Sequence, residues 1–399
     1  MNRRDFMKAT IGASALAMCP FTVGAGASQI PVKSRQPTPG SQAKVFLAGV
    51  SKGAPEQAIK LAVRDAVETA TDFSWLSKGD AVFIKPVNNS GNPYPATTSP
   101  TAIAAMVEVL KEKGAGRVIV WDMSGVEYLR FSSTSLSGSS RALMTSSGLA
   151  KAVQTSGAEM HCFEEGGWDA FYEDWPMAGS NWKRGLMMPN ILKEVQHIIL
   201  MPRCSRHVLA GSSLGLKAAV GYWRHDTRLE YHRDAATLQE KTAEGNTVTT
   251  LSAKQRLVIS AADKLLTTFG PDKGYVFEPD NGLIIASGSV VAHDMVSLAW
   301  LLENRRIIPV SERGGFIDTN EVVPRVANHM VTYWLGGWKP ALASETLTKN
   351  SLDTIWDDRV LNHSYNILGG VPDALLEAAN SALPETLKNR LARMTTYPT

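Results

Sequence analysis

The densest group of side chains that could do chemistry lies between positions 202 and 234. This stretch holds three of the eight histidines of the chain, His207, His225 and His232, together with Lys217. Neutral imidazoles ligate zinc, nickel or copper, and they also transfer protons near neutral pH. A lysine whose pKa is lowered by burial can form a covalent bond to a carbonyl group or a cofactor. An anion-binding rim or a solvated basic loop would use the same residues, and the sequence leaves these alternatives open.

A second group of polar side chains follows two predicted strands. Lys85 lies near the end of the apolar segment 81–86, Asn88 comes just after it, and Asp122 follows the apolar segment 117–121. In parallel sheets, ligands bind beyond the carboxyl ends of the strands. We therefore expect Lys85, Asn88 and Asp122 to line one wall of a pocket, where Lys85 could neutralise an anionic substrate group.

The elements that would position these residues alternate between strands and helices. Ser99-Pro100 supplies an N-cap and a proline at the first helical position, and it predicts a helix over residues 101–113. A strand, a helix and a second strand at this spacing indicate a βαβ unit and a parallel sheet. The predicted fold class is α/β, with parallel or mixed sheets and flanking helices in two lobes, plus a mostly helical C-terminal region.

The predicted domain organisation has four segments. They are a signal peptide at residues 1–27, a first α/β lobe at 28–195, a second α/β lobe with the His/Lys cluster at 196–305, and the mostly helical region at 306–399. Within the second lobe, residues 211–220 are predicted to be helical and residues 226–234 to be a polar segment.

The first 27 residues have the parts of an export signal. Arg3-Arg4 with Phe6 and Lys8 resembles the twin-arginine consensus, and an uncharged stretch with a small-residue end follows it. Residues 9–23 are too short to span a hydrocarbon core of ~30 Å, and no later apolar run is long enough. We therefore expect a periplasmic protein, exported by the twin-arginine pathway, with no membrane span in the mature chain.

Charge and cysteine content exclude two classes of function. The chain has 41 basic and 38 acidic residues, and removing the three basic residues and one acidic residue of positions 1–27 leaves a net charge of +1. A nearly neutral chain lacks the positive surface that binds phosphate backbones, so we expect no nucleic-acid partner. Cys162 and Cys204, the two cysteines after residue 27, cannot hold a four-cysteine iron–sulfur cluster, although they could form one disulfide.

Several short motifs together resemble the domain-of-unknown-function 362 family. In chain order they are Ile84-Lys85-Pro86 with Asn88-Asn89, Leu216-Lys217 with Val220-Gly221, Asp263 with Gly270-Pro271, and Ala292-His293-Asp294. Ala218 stands where an asparagine is usual in this family, and the ferredoxin-like cysteine block of many relatives is missing here. The resemblance covers residues 80–305, and the family name itself supplies no reaction.

The order of three site residues is similar to that in nickel-pincer lactate racemases. Nine residues separate His207 from Lys217, and fourteen separate Lys217 from His232. The resemblance implies that His207 is an acid/base, that Lys217 tethers a cofactor and that His232 ligates the metal. Asp122 follows the strand where those enzymes have a second catalytic histidine. We therefore interpret the likeness as a shared scaffold and site location, and not as a shared activity.

Two functional hypotheses remain open. In the first, an inter-lobe pocket holds a transition metal (Ni or Zn) or a Lys-linked cofactor and acts on a small anionic or carbonyl substrate. In the second, the protein is a non-catalytic periplasmic binding or maturation partner of a redox or metalloenzyme, and Trp168 and Trp175 belong to its interaction surface. For the first hypothesis, the candidate residues are His207, Lys217 and Asp122 for catalysis, Lys217, Lys85 and Asn88 for cofactor binding, and His232 with His207 for a metal.

Overall fold

A mixed sheet organises the part of the chain that this computed structural model describes, residues 39–313 and 322–398. The strands within these ranges are β1 Pro39–Ser51, β2 Ala81–Pro86, β3 Arg117–Val120, β4 Arg130–Phe131, β5 Leu136–Ser137, β6 Glu159–Met160, β7 Phe171–Asp174, β8 Leu186–Pro189, β9 His197–Met201, β10 Ser205–His207, β11 Gly211–Ser213, β12 Gln255–Ala262, β13 Leu265–Leu266, β14 Val276–Phe277, β15 Asn281–Ser287 and β16 Val371–Ala378. The predicted signal peptide, residues 1–27, lies outside the described residues.

Helices connect and cover these strands. In the described ranges they are α1 Glu56–Ala70, α2 Pro100–Glu112, α3 Ser140–Ser146, α4 Leu149–Thr155, α5 Ile191–Glu194, α6 Gly215–Ala218, α7 His225–Arg233, α8 Leu238–Glu244, α9 Thr249–Lys254, α10 Val290–Arg305, α11 Val322–Gly336, α12 Trp338–Leu342, α13 Arg359–Ile367 and α14 Glu385–Thr395. Short 3₁₀ turns occupy Phe163–Gly166, Ala219–Tyr222, Ala235–Thr237 and Ile355–Asp357.

Eight of the described strands form the large sheet, in the order β16-β1-β15-β12-β9-β2-β3-β6. β15 is antiparallel to both of its neighbours, and the other adjacent pairs are parallel. This arrangement confirms the predicted α/β class with a mixed sheet. Both predicted lobes contribute strands to the sheet, because β9, at the start of the second lobe, pairs with β2 of the first.

Two hydrophobic cores lie on opposite faces of the sheet. Along β1, Val45 and Leu47 belong to one core, whereas Ala48 and Val50 belong to the other. Successive side chains of a strand point to opposite faces, so this division follows from the period of two. With both faces covered, the sheet has the near-continuous apolar strands that are typical of α/β proteins.

Local sequence signals place α2 between β2 and β3. The side chain of Ser99 accepts a hydrogen bond from the backbone N–H of Ala102 at 3.3 Å, and Pro100 opens the helix. β2 and β3 then pair in parallel, with Ile84 opposite Val120. Their carboxyl ends therefore meet at one edge of the sheet, as predicted.

Three segments differ from the sequence-based expectation. Residues 211–220 form β11, α6 and the start of a 3₁₀ turn instead of one helix, and residues 226–234, for which the sequence predicts only a polar segment, lie mostly within α7. Residues 371–378 form β16 inside the mostly helical C-terminal region, because they pair in parallel with β1 at the edge of the sheet. Pairing with an existing strand outweighs the helix preference of their leucines and alanines.

Two further features bear on the predicted properties. Cys162 and Cys204 are both buried free thiols, so they do not form the disulfide that the sequence leaves open. Among the helices of residues 39–313 and 322–398, none has the length and apolar character needed to cross a membrane.

Candidate functional site

Lys85 and Asp122 meet at the carboxyl ends of β2 and β3. The Nζ of Lys85 lies 2.6 Å from Oδ1 of Asp122, and it also donates to the carbonyl oxygens of Pro86 (2.8 Å) and Ala218 (3.0 Å). Lys85 is 0% exposed and Asp122 is buried beside it. All three ammonium hydrogens of Lys85 therefore have protein partners.

The loop after β2 holds the other oxygen of this carboxylate. The backbone N–H of Asn88 donates to Oδ2 of Asp122 at 2.5 Å. The side chain of Asn88 is turned away from the carboxylate, because it contacts the hydroxyls of Ser124 (3.4 Å) and Ser147 (3.0 Å). Asn88 thus contributes its backbone to the site, while its amide fixes the surrounding loops.

Two buried arginines complete a cluster that the sequence did not single out. Arg228 donates to three backbone carbonyl oxygens, those of Trp223, Ser124 and Met123, at 2.7–2.9 Å. Arg203 donates through Nε to the Ser213 hydroxyl at 3.1 Å, and its Nη1 is anchored by backbone carbonyls. We call Lys85, Arg203, Lys217 and Arg228 the buried cation cluster, in which Lys217 is the member that is partly exposed.

Asp122 is the one carboxylate among the described residues whose charge acts on all four members of this cluster. Burial lowers the pKa of Arg203 and that of Arg228 to about 10, with Asp122 opposing the change in both. Asp272 also acts on Arg203, and Glu164 on Arg228, so these carboxylates offset part of the positive charge of the cluster. Uncompensated charge in a region removed from water is costly, and a bound anion would offset it.

Lys217 is the member of the cluster whose amine is unengaged. It lies on α6, and its Nζ is 5.8 Å from the centre of the Tyr231 ring. Within the described ranges its Nζ has no hydrogen-bond or ion-pair partner. Burial, followed by the charges of Arg203 and Arg228, lowers the pKa of Lys217 to about 7, while Asp122 opposes the change. The Lys217 amine is therefore neutral in a large fraction of the molecules near pH 7.

His207 presents a hydrogen-bond donor. Its Nδ1 accepts the backbone N–H groups of Leu209 (3.1 Å) and Ala210 (3.3 Å), so we assign the proton of the neutral ring to Nε2. Burial, followed by the charges of Lys217 and Arg203, lowers the pKa of His207 well below its usual value. The ring is therefore neutral at pH 7 and offers an N–H.

His232 has the opposite arrangement. Its Nδ1 lies 2.9 Å from Oδ1 of Asn328, whose Nδ2 donates to the carbonyl of His232 at 2.8 Å. The amide orientation assigns the proton to Nδ1, which leaves the lone pair on Nε2. Burial lowers the pKa of His232 to about 3, although the Asn328 hydrogen bond opposes this. A histidine fixed through one ring nitrogen is typical of a metal ligand or a base.

The third histidine of the stretch lies in a different environment. His225 is seven residues before His232 on α7, which separates them by about 10 Å along the helix. Its Nδ1 accepts the backbone N–H of Phe131 at 2.9 Å. The structure thus groups His207, Lys217 and His232 by their mutual electrostatic effects, and it leaves His225 outside.

The resemblance to a nickel enzyme raises the question of whether these residues fit a metal. His232 offers one lone pair, whereas the neutral His207 offers a proton at Nε2. In residues 39–313 and 322–398, no three His, Cys, Asp or Glu side chains come together in a way that could hold a metal ion. The described side chains therefore do not complete a metal site by themselves.

A hydrogen-bond chain that the sequence did not reveal anchors the helix of Lys217. The carboxylate of Asp294 accepts the backbone N–H groups of Gly215 (2.8 Å) and Leu216 (2.7 Å) at the start of α6. His293 contacts Asp294 through Nδ1 at 2.8 Å, and its Nε2 lies 2.9 Å from the hydroxyl of Ser260. The three side chains are buried, and through Asp294 this Ser-His-Asp chain holds the start of α6, next to a small cavity that Asp294 and Lys217 line together.

The tryptophans of the predicted interaction surface are only partly available. Trp168 lies against the guanidinium of Arg224, with 4.1 Å between the guanidinium carbon and the ring centre. Trp175 is 55% exposed. Trp168 therefore belongs to the packed structure, whereas Trp175 is open to solvent.

Comparison with known proteins assigns the chain to a family. A family model described as "Domain of unknown function (DUF362)" matches residues 82–299, which is more than half of the chain. The chain belongs to the DUF362 family. The match confirms the resemblance stated from the motifs. In this DUF362 protein Lys85, Asp122, His207, Lys217 and His232 all lie inside the matched range.

Comparisons beyond the family model are more distant. None of the curated proteins matches this DUF362 chain. Among solved structures, the lactate racemase apoprotein from Thermoanaerobacterium thermosaccharolyticum is similar with a TM-score of 0.35 and 14% sequence identity. The alignment covers 62% of this chain and 55% of that chain, so the DUF362 protein spans just over half the length of that neighbour.

Proposed function

We propose that this DUF362 protein is an exported enzyme that acts on a small anionic or carbonyl-bearing molecule at the buried cation cluster. The single observation that carries the proposal is the state of Lys217. The amine of this largely buried side chain has no hydrogen-bond partner in the described part of the chain, and desolvation, followed by the charges of Arg203 and Arg228, lowers its pKa. An amine of this kind favours a role in ligand binding or catalysis over a role in stabilising the fold.

The electrostatics of the site favour an anionic ligand. Three cations of the cluster are held by backbone carbonyls or by Asp122, and within the described residues Asp122 forms its ion pair with Lys85. An anion bound beside Lys217 would reduce the repulsion between these charges, and its binding would raise the pKa of Lys217. Binding and protonation would therefore reinforce each other.

His207 and Lys217 would share the chemistry. The Nε2–H of His207 would donate to an oxygen of the bound molecule, because a neutral imidazole polarises a carbonyl without losing its proton. Lys217 would act as a nucleophile or a base in its neutral form. Asp122 would offset the positive charge of Lys85 and would not transfer protons, because both of its oxygens already have partners.

Thermal unfolding of the full chain in formate, acetate, pyruvate or malonate, against chloride at equal ionic strength, tests this proposal. A ligand that binds the folded state raises Tm as its concentration exceeds Kd. We expect at least one of these anions to raise Tm in the wild type and to have much less effect in Lys217→Met. The exposed Lys78→Met is the matched control and should behave like the wild type. Equal Tm values in all salts would contradict the proposal.

A metal- or cofactor-dependent version has its own supporting observation, the fixed lone pair on Nε2 of His232. His232 would supply one ligand, Lys217 could tether an organic cofactor, and the cofactor would supply the remaining donors and its own redox or acid–base chemistry. Mass spectrometry of the mature protein in native and denaturing modes tests this. A metal seen only in the native mode, and lost in His232→Ala, would support it. A bare polypeptide in both modes would contradict it.

A further inference from the structure

Two unengaged donors stand out in the buried cation cluster. Nη2 of Arg203 makes no hydrogen bond within residues 39–313 and 322–398, although Nε and Nη1 of the same guanidinium are anchored. Nζ of Lys217 also has no such partner there, and it faces the Tyr231 ring. Arg203 donates through Nε to Ser213, four residues before Lys217, and its charge has the largest effect on Lys217, so the two groups lie near each other.

The chemistry of these two donors differs. A guanidinium held through two of its nitrogens presents the third in a fixed direction, which suits a carboxylate oxygen. A desolvated amine beside other cations suits attack on a carbonyl carbon. Lys85 cannot take this second role, because its three hydrogens have partners.

We propose that Lys217 forms an imine with the carbonyl carbon of a small oxo acid whose carboxylate is bound by Nη2 of Arg203. This inference rests on the proposed anion-binding function and names its substrate class. The neutral amine of Lys217 adds to the carbonyl carbon and forms the C–N bond. The two amine hydrogens leave with the carbonyl oxygen as water, so the C=N bond forms without an oxidant or a reductant. The Nε2–H of His207 is the donor available to the carbonyl oxygen during addition.

Reductive trapping tests the proposal. The full chain is incubated with pyruvate and cyanoborohydride, which reduces an imine to a stable secondary amine, and the modified residue is mapped by peptide mass spectrometry. Methyl pyruvate is the matched probe, because it keeps the ketone and lacks the carboxylate. We expect one modified residue, Lys217, labelled at least tenfold faster by pyruvate than by methyl pyruvate. The labelling should vanish in Lys217→Met and persist in Lys78→Met.

A second variant separates the two parts of the inference. Arg203→Lys retains a cation and should fold, but it lacks the planar Nη2 donor. In this variant we expect pyruvate to lose its advantage over methyl pyruvate while Lys217 stays reactive. Labelling spread over exposed lysines, or equal rates for the two probes in the wild type, would overturn the imine proposal.

The outcome also distinguishes this inference from the broader function. If pyruvate raises Tm in a Lys217-dependent way but leaves no label on Lys217, the imine proposal is wrong and the anion site stands. If pyruvate and the other anions neither raise Tm nor label Lys217, both proposals are wrong.

Discussion

Lys85 and Asp122 form a buried ion pair, with 2.6 Å between Nζ and Oδ1, at the carboxyl ends of two adjacent parallel strands. Lys85 also donates to the carbonyl oxygen of Ala218. This hydrogen bond joins the sheet to the segment that carries Lys217. The charge of Asp122 acts on all four members of the cluster. The ion pair therefore stabilises the structure around the site, and Lys217 is the reactive group.

Breaking this pair should destabilise the fold strongly. Asp122→Asn leaves the Lys85 charge buried without a counter-charge, which typically costs about 3–5 kcal/mol. Urea unfolding followed by circular dichroism measures the loss. The matched control is Glu377→Gln, which breaks the exposed pair of Lys44 and Glu377 (59% and 41% exposed) and should cost about 1 kcal/mol or less. Equal costs for the two variants would contradict the account.

The close approach of Gly221 to the ion pair gives a second prediction. A Cβ at this position would collide with both the Asp122 carboxylate and the Lys85 ammonium. We therefore expect Gly221→Ala to lower Tm by at least as much as Asp122→Asn. Gly288→Ala is the control, because a Cβ there meets nothing closer than 4.0 Å. A Gly221→Ala protein as stable as Gly288→Ala would show that this packing is wrong.

Lys217→Met should stabilise the protein in a pH-dependent way. The pKa of Lys217 is about 7 in the folded chain and near its ordinary value of 10.5 when unfolded. Between these values the unfolded state binds more protons, so the stability of the wild type falls as pH decreases from about 10.5 to about 7.

The stability gain of the variant should follow the same window. It is expected to grow as pH falls from about 10.5 to about 7 and then to stay constant, and it can reach several kcal/mol at about 1.4 kcal/mol per pKa unit. Unfolding free energies of Lys217→Met and Lys78→Met across this pH range measure the effect. A gain that is the same at pH 10 and pH 7 would refute the assignment.

Asp294 should control both the stability and the reactivity of α6. In Asp294→Asn, the amide NH₂ would face backbone N–H groups or His293, and each unsatisfied buried donor costs about 1–3 kcal/mol. We expect a lower unfolding free energy and a changed labelling rate at Lys217. Asp353→Asn, at an exposed position, is the control. A destabilised variant whose Lys217 keeps the wild-type rate would show that Asp294 does not position Lys217.

The positions of Lys85 and Asp122 at the ends of strands could be predicted from the sequence. Apolar segments around β2, β3 and β9 are short and continuous, and a capped helix lies between the first two, so parallel pairing follows. That pairing brings Lys85 next to Asp122. The sequence could not show that they neutralise each other, because the register that pairs them is a tertiary property.

The environments of His232 and Lys217 depend on contacts between segments that are far apart in the sequence. Asn328 fixes the His232 ring from 96 positions away, and Asp294 anchors α6 from 79 positions away. Neither contact leaves a local pattern. Arg203 and Arg228 lie in a basic stretch with Arg206, Arg224 and Arg233, and the sequence alone does not show which of these arginines belong to the site. His225 shows the reverse, since its proximity in sequence did not place it in the site.

The central claim is that Lys217 carries a largely buried amine of lowered pKa that binds an anionic ligand. Competitive labelling of the full chain with acetic anhydride, from pH 5 to pH 11 and with peptide mass spectrometry, gives the pKa of each reactive lysine. We predict a midpoint near pH 7 for Lys217, which rises when pyruvate or malonate is added. A Lys217 midpoint near pH 10.5 that does not respond to either anion would contradict it.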